Sequence, residues 1–157
     1  MVHVLFVCLG NICRSPMAEA VFRHKVWEAG LLDSITIDSA GTGDWHLGEK
    51  PHQGTRDILQ KYKIDDSNMF ARQVVSTDFS KFEYIVAMDD SNVENLKGFV
   101  GTEEPRSQVF KMLDFLPEGQ AGNVPDPYFT GNFEEVYEMI NTSSENLLAH
   151  IRADQNI

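Results

Sequence analysis

VHVLFVCLGNICRSP, residues Val2–Pro16, runs from a β-branched apolar stretch through a glycine-containing turn into Ser-Pro. Val2–Val7 has the length and composition of a buried strand. Ser15 before Pro16 marks a helix start, with serine as the N-cap and proline at the first helical position. Ala18, Val21, Phe22, Val26 and Ala29 then recur at helical spacing until Gly30 stops the run. The stretch therefore predicts a strand, a tight loop and a helix over Ser15–Ala29.

The same alternation continues outward. Ile35–Ser39 predicts a second strand, and Ala40–Lys50 a loop containing Gly41, Gly43 and Gly48. His52–Lys63 predicts a second helix carrying Ile58, Leu59 and Tyr62. Glu83–Met88 predicts a third strand, Ser91–Phe99 a third helix and Gln108–Met112 a short fourth strand. Pro117, Gly119, Gly122, Pro125 and Pro127 make Leu116–Thr130 a long loop without regular structure. Asn132 opens the last helix, with Glu135 at the capping-box position. Phe133, Val136, Tyr137, Ile140, Leu147, Leu148 and Ile151 form that helix's apolar stripe. Strand and helix alternate four times, which predicts an α/β fold. The expectation is a single doubly wound domain over residues 1–157. Its four-stranded parallel sheet would be flanked by helices, with a phosphate-binding loop after the first strand.

Composition bounds the function. The 157 residues are 42% hydrophobic and 24% charged, a globular balance. Thirteen Lys+Arg against 24 Asp+Glu give a formal net charge of −11. The excess is uneven, at −4 over residues 1–100 and −7 over residues 101–157. That balance argues against nucleic acid and against an anionic membrane as partners. The apolar stretches are too short to span a bilayer, and Val2–Val7 lacks the basic start and length of a signal peptide. The cytoplasm is the expected location. Two cysteines are too few for a disulfide framework or for the four ligands of a structural zinc site. His3, His24, His46, His52 and His150 show no metal-binding spacing. Neither a metal nor another cofactor is expected.

In a doubly wound sheet, ligands bind at the carboxyl ends of strands, and the first strand-to-helix turn is the favoured place. That turn comprises Cys8, Leu9, Gly10, Asn11, Ile12, Cys13, Arg14 and Ser15. A loop wrapped at a helix N-terminus aims several backbone N–H groups at one point, which suits a tetrahedral dianion. Gly10 and Asn11 are residue types that readily take the positive φ of a tight cradle. Arg14 offers a planar two-pronged donor. Thiols at helix N-termini or beside arginine ionise more readily than free cysteine, so Cys8 reads as a nucleophile for phosphoryl transfer. Ser15 can donate a hydrogen bond to the thiolate as it leaves. Taken singly, Cys8 is also a strand-end hydrophobe, Arg14 a surface charge and Ser15 a cap. Their spacing after a strand and before a Pro-started helix favours chemistry.

Residues Val4–Ala20 (VLFVCLGNICRSPMAEA) resemble the signature of the low-molecular-weight protein tyrosine phosphatases in its bacterial form. The resemblance extends through Asp38-Ser39-Ala40-Gly41, Asp44-Trp45, Ala71-Arg72-Gln73, Ala87–Asn92 and Asp126-Pro127-Tyr128. It implies a phosphatase acting on phosphotyrosine-containing proteins through a cysteinyl-phosphate intermediate. Inorganic phosphate or similar oxyanions would then be product and inhibitor. It further implies that Asp126, held between Pro125 and Pro127, is the general acid and then base. Trp45 and Tyr128 would wall a slot above the phosphate, with Phe129 beside them where some members carry a second tyrosine. Ser39 would hold Asn11 in its strained conformation. Met69 stands where many members place a supporting histidine, which implies a differently built support. Cys13 is either core filling beneath the loop or a resolving thiol for oxidised Cys8.

Three other functions compete. Arsenate reductases share the loop but relay electrons through further cysteines, and none follows Cys13. Protein-arginine phosphatases of the same family carry threonine where this loop has Ile12. A phosphopeptide-binding module needs neither the nucleophile Cys8 nor the acid Asp126.

Overall fold

In the computed structural model, which describes residues 1–101, 105–117 and 122–157, β1 (Val2–Cys8) is buried on both faces. Val2, Val4, Phe6 and Cys8 join one apolar cluster, Leu5 and Val7 another. Alternate strand residues point to opposite faces, so a strand apolar on both belongs in the middle of a parallel sheet. It lies there. The order is β2 (Ile35–Gly41), β1, β3 (Tyr84–Ala87), β4 (Gln108–Lys111), with each pairing parallel. The expected fold class stands.

Helices α1 (Arg14–Glu28), α2 (Gln53–Lys61) and α6 (Phe133–Gln155) cover one face. Phe6 and Phe22, fully buried and 5.5 Å apart edge to face, fasten α1 to β1. Each such side chain contributes roughly 1.5–3 kcal/mol through burial. Val136, Ile140, Leu147 and Ile151 complete that core from α6. On the other face, Phe79 of α3 (Asp78–Lys81) and Leu96 of α4 (Asp90–Leu96) pack on Leu5, Val7 and Ile85. Among the described residues, no helix is long and apolar enough to cross a membrane.

Several local expectations need correction. The first helix begins at Arg14, so Cys13 rather than Ser15 is its N-cap, and no side chain caps it. Pro16 lies two residues into the helix, still in the first turn, where its missing N–H costs nothing. Ala29 follows the helix and is exposed. Ala40 and Gly41 extend β2 instead of opening the loop. The third helix ends at Leu96, with a 3₁₀ turn over Lys97–Phe99. The supposed long loop holds a one-turn helix, α5 (Pro127–Thr130), capped by Asp126 and closed by Gly131 at φ 76°. Gly119 of that segment lies outside the described residues. Asn132 precedes α6 without a capping box, because its N–H is already taken by the Thr130 hydroxyl.

The sheet order sets the position of the site. From β1 the chain crosses first to β2 on one side and later to β3 on the other. The carboxyl ends of β1 and β3 therefore open on a shared crevice. In register, Cys8 pairs with Gly41, and Val7 pairs with Ala87. The loop after Cys8 is thus flanked by the end of β2 and by Met88-Asp89 after β3.

Candidate active site

The residues from Cys8 to Ser15 curl beneath a cavity of about 250 Å³. Cys8, Leu9, Gly10, Ile12 and Cys13 line its floor, and Trp45, His46, Asp126, Tyr128 and Phe129 its walls. The Cys8 Sγ accepts the Asn11 N–H at 3.3 Å and lies 3.0 Å from the Ser15 hydroxyl. Asn11 Nδ2 donates to Ser15 at 2.8 Å and to Ser39 at 3.0 Å. The Ser15 oxygen is already an acceptor there, so its own hydrogen is free for the sulfur. Ser15 leaves the capping role because its hydroxyl turns to Cys8.

The support beneath the loop ends on a buried carboxylate that accepts from both sides. Ser39 donates to the Glu19 carboxylate at 2.6 Å. Glu19 is buried and pairs with Arg23 one turn on, also at 2.6 Å. The Arg72 N–H donates to Asn11 Oδ1 at 3.0 Å. Asn11 takes φ 57°, and these bonds on both ends of its amide hold it there. Gly10 does not take positive φ. A Cβ on Gly10 would sit 3.1 Å from the His46 ring, so the position is small for lack of room above it. Met69 packs in the main core, leaving Glu19 and Arg23 to back Ser39.

Arg14 is 3% exposed, with its guanidinium held from three sides. Nη1 donates to Asp89 at 2.6 Å and to the Val124 carbonyl at 2.9 Å; Nη2 reaches Asp126 at 3.4 Å. Burial disfavours its charge, but Cys8, Asp89 and Asp126 outweigh that and hold its pKa above the ordinary value. Its Nε is buried and has no protein acceptor. Burial, then nearby Cys8 and Asp126, pushes the Cys13 thiol up to about 12. Both cysteines are free thiols. Cys13 also packs with Ile12 and Ala71.

The slot walls are open to solvent: Trp45 is 68% exposed, Tyr128 51% and Phe129 76%. Gly43 makes room for Trp45, whose ring a Cβ there would meet at 1.9 Å. Asp126 Oδ1 accepts the Tyr128 N–H, so the carboxylate that faces Arg14 also caps α5.

Residues Cys8–Ser15, Ser39, Trp45, Asp126, Tyr128 and Phe129, singled out from the sequence, meet at this one place. Missed were Asp89, Glu19, His46 and Thr55, whose hydroxyl donates to the Cys13 carbonyl at 3.1 Å. The signal for Asp89 was its place directly after the third strand, at the switch point of the sheet.

A thiol and a buried guanidinium at the switch point of a doubly wound sheet define an α/β domain with a sulfur at the foot of its cavity. Comparison with known proteins narrows that class. The family model "Low molecular weight phosphotyrosine protein phosphatase" matches residues 3–156, and the chain belongs to that family. Low molecular weight protein-tyrosine-phosphatase YfkJ of Bacillus subtilis is 48% identical over the full length of both chains. Its crystal structure superposes with a TM-score of 0.93, covering 98% of this chain and 96% of that one. PtpA of Staphylococcus epidermidis, also a low molecular weight protein-tyrosine-phosphatase, is 49% identical over 100% of this chain and 98% of its own. The Drosophila arginine phosphatase DARP is 33% identical, with a TM-score of 0.88 over 95% of this chain and 97% of that one.

Proposed function

We propose that residues 1–157 form one catalytic domain that hydrolyses phosphotyrosine in proteins, with Cys8 as nucleophile and Asp126 as general acid and then base. The observation that carries this reading is the convergence of four groups on one aromatic-walled cavity. These are a sulfur with two hydrogen-bond donors, a buried guanidinium whose Nε has no protein partner, a carboxylate above them, and the backbone of the loop.

The phosphoryl group enters the loop of Leu9–Ser15, where backbone N–H groups, the helix N-terminus and Arg14 balance its charge. The positive charge a metal would supply comes from these donors. The Cys8 thiolate attacks phosphorus, forming the S–P bond as the P–O bond to tyrosine breaks. Asp126 gives its proton to the departing phenolate. Asp126 then takes a proton from water, whose oxygen attacks phosphorus and breaks the S–P bond. The Ser15 hydroxyl stabilises the sulfur as it leaves, and inorganic phosphate is the product. Trp45, Tyr128 and Phe129 hold the substrate ring. The two thiols, free and unbridged, suit a reducing compartment, and the cytoplasm is the proposed location.

The likeness to DARP gives a second reading, a phosphoarginine substrate. Apolar Ile12 in the loop and exposed Trp45 at the mouth support an aromatic ester instead. Phosphotyrosine, phosphoserine and phosphoarginine peptides turned over side by side, with a chelator present, decide between them. The expected result is turnover of phosphotyrosine alone, unaffected by chelation. Preference for phosphoarginine, or activity lost with the chelator and restored by metal, overturns the proposal.

A further inference from the structure

His52 stands where three segments of the site meet. Its backbone N–H donates to the Ile12 carbonyl of the phosphate loop at 2.7 Å. Its ring Nδ1 accepts the Gly54 N–H at 3.0 Å and so caps α2. The same ring stacks on Phe133 at the start of α6, with centroids 5.2 Å apart and planes at 21°. It meets Tyr128 of α5 edge-on, at 5.9 Å and 77°. Phe133 packs closely on α2 as well, since a Cβ on Gly54 would fall 2.5 Å from its ring.

Capping alone does not call for histidine. Asparagine, aspartate, serine and threonine are the strong N-caps. Packing between Tyr128 and Phe133 alone would be met by any aromatic residue. Only an imidazole supplies a cap acceptor and an aromatic ring from one side chain. Nδ1 accepts the Gly54 N–H, which leaves Nε2 as the ring nitrogen free to donate. Among the described residues, no carboxylate lies within ion-pair distance of that ring.

We propose that His52 is a positioning residue for phosphotyrosine: its ring sets the Tyr128 wall of the slot, while its cap and N–H hold α2 against the phosphate loop. The role rests on the phosphatase reading above. The cap and the ring are separable by substitution. His52→Asn keeps a good cap and loses the ring, and His52→Phe keeps the ring and loses the acceptor.

For each variant and the wild type, the measurements are kcat and KM on a phosphotyrosine peptide, inhibition by inorganic phosphate, and the thermal midpoint. His52→Asn is expected to lower the midpoint only slightly, through the lost stacking on Phe133, while KM rises about 3–10-fold, the worth of one or two aromatic contacts. Its kcat and its inhibition by phosphate, which reaches only the cradle, should stay close to wild type. His52→Phe should lower the midpoint at least as much, through the lost cap, with KM near wild type. A purely structural histidine would make KM follow the midpoint through the series. Wild-type KM in His52→Asn overturns the proposal. A wild type without turnover on phosphotyrosine overturns the phosphatase reading itself, and this role with it.

Discussion

One oxygen of Asp126 accepts the Tyr128 N–H and the other faces Arg14 at 3.4 Å, so the carboxyl is fixed from both sides above Cys8. A phenol of pKa about 10 leaves as its anion only at high cost near neutral pH, and a placed acid removes that cost. Asp126→Ala should slow phosphotyrosine turnover by roughly 10²–10⁴-fold. A nitrated phenolate departs without a proton, so the pre-steady-state burst with that ester should slow far less. Bursts that fall by the same factor for both substrates would leave Asp126 with only its capping role. Cys13 poses a different question at the same scale. Burial pushes its thiol up to about 12, so it carries its proton at neutral pH and is a poor first target for peroxide. Peroxide oxidation of Cys8 to a sulfenic acid would be followed by attack of the Cys13 sulfur, with disulfide formed and water released. Wild-type activity should then return with a thiol reductant, and Cys13→Ser should not recover. Equal recovery would make Cys13 a packing residue beside Ile12 and Ala71.

Elements bring these residues together, and the ends of the strands matter most. Gly41 ends β2 opposite Cys8, and its missing Cβ is what lets the loop after β1 approach. A methyl there would lie 2.8 Å from the Leu9 carbonyl oxygen and 3.2 Å from Asn11. Both are parts of the loop backbone or its strained turn, so neither yields cheaply. Gly41→Ala should cost about 1–3 kcal/mol in urea unfolding, and kcat/KM should fall with it. Gly98→Ala, with nothing within 4 Å, is the control and should change neither. An unaltered unfolding midpoint in Gly41→Ala would show that the loop can shift freely. The sequence revealed most of this scale, because β1 is apolar but for His3 and α1 and α6 keep most of their stripes. It misplaced the start of α1, because the hydroxyl of Ser15 has a better use than capping. Helix α5 was written in plain signals, Asp126-Pro127 to start it and Gly131 to stop it. Proline and glycine density hid it, since the same residues also punctuate loops. The cradle was legible because its donors are contiguous from Cys8 to Ser15. Glu19 was not, because only helix packing brings it there, and Asp89 was marked only by its place directly after the third strand.

Across the whole molecule the chain carries a formal net charge of −11, and one thiol and three tyrosines are held above their ordinary pKa. Tyr84 on β3 is one of them. Its hydroxyl bonds Asp154 in the last turn of α6 and accepts from Gln155 at 3.0 Å, tying the end of the chain to the sheet. Burial, then the Asp154 carboxylate, pushes Tyr84 up from 10.0 to about 12. Cys13 rises from 9.0 to about 12 through burial in the same sense. In the unfolded chain both groups lose their protons at ordinary values, whereas in the folded chain both keep them longer. The unfolded state therefore binds fewer protons across this window, and stability falls as pH rises. What Tyr84 contributes is complete below pH 10.0 and is lost by about pH 12; for Cys13 the loss starts at 9.0. Urea midpoints measured from pH 8 upward should hold to about pH 9 and then decline steeply. In Tyr84→Phe the decline above pH 10.0 should be shallower, from a lower starting stability, because the bond to Asp154 is gone. It should not vanish, since Tyr62 and Tyr137 are also held above their ordinary values. For Tyr62 the main cause is the bond to Glu134, and for Tyr137 it is burial. Tyrosinate absorbance followed against pH gives the direct reading, with one late-titrating ring missing in the variant. If Tyr84→Phe loses stability above pH 10 as steeply as the wild type, Tyr84 ionises without cost and does not fasten α6 to the sheet.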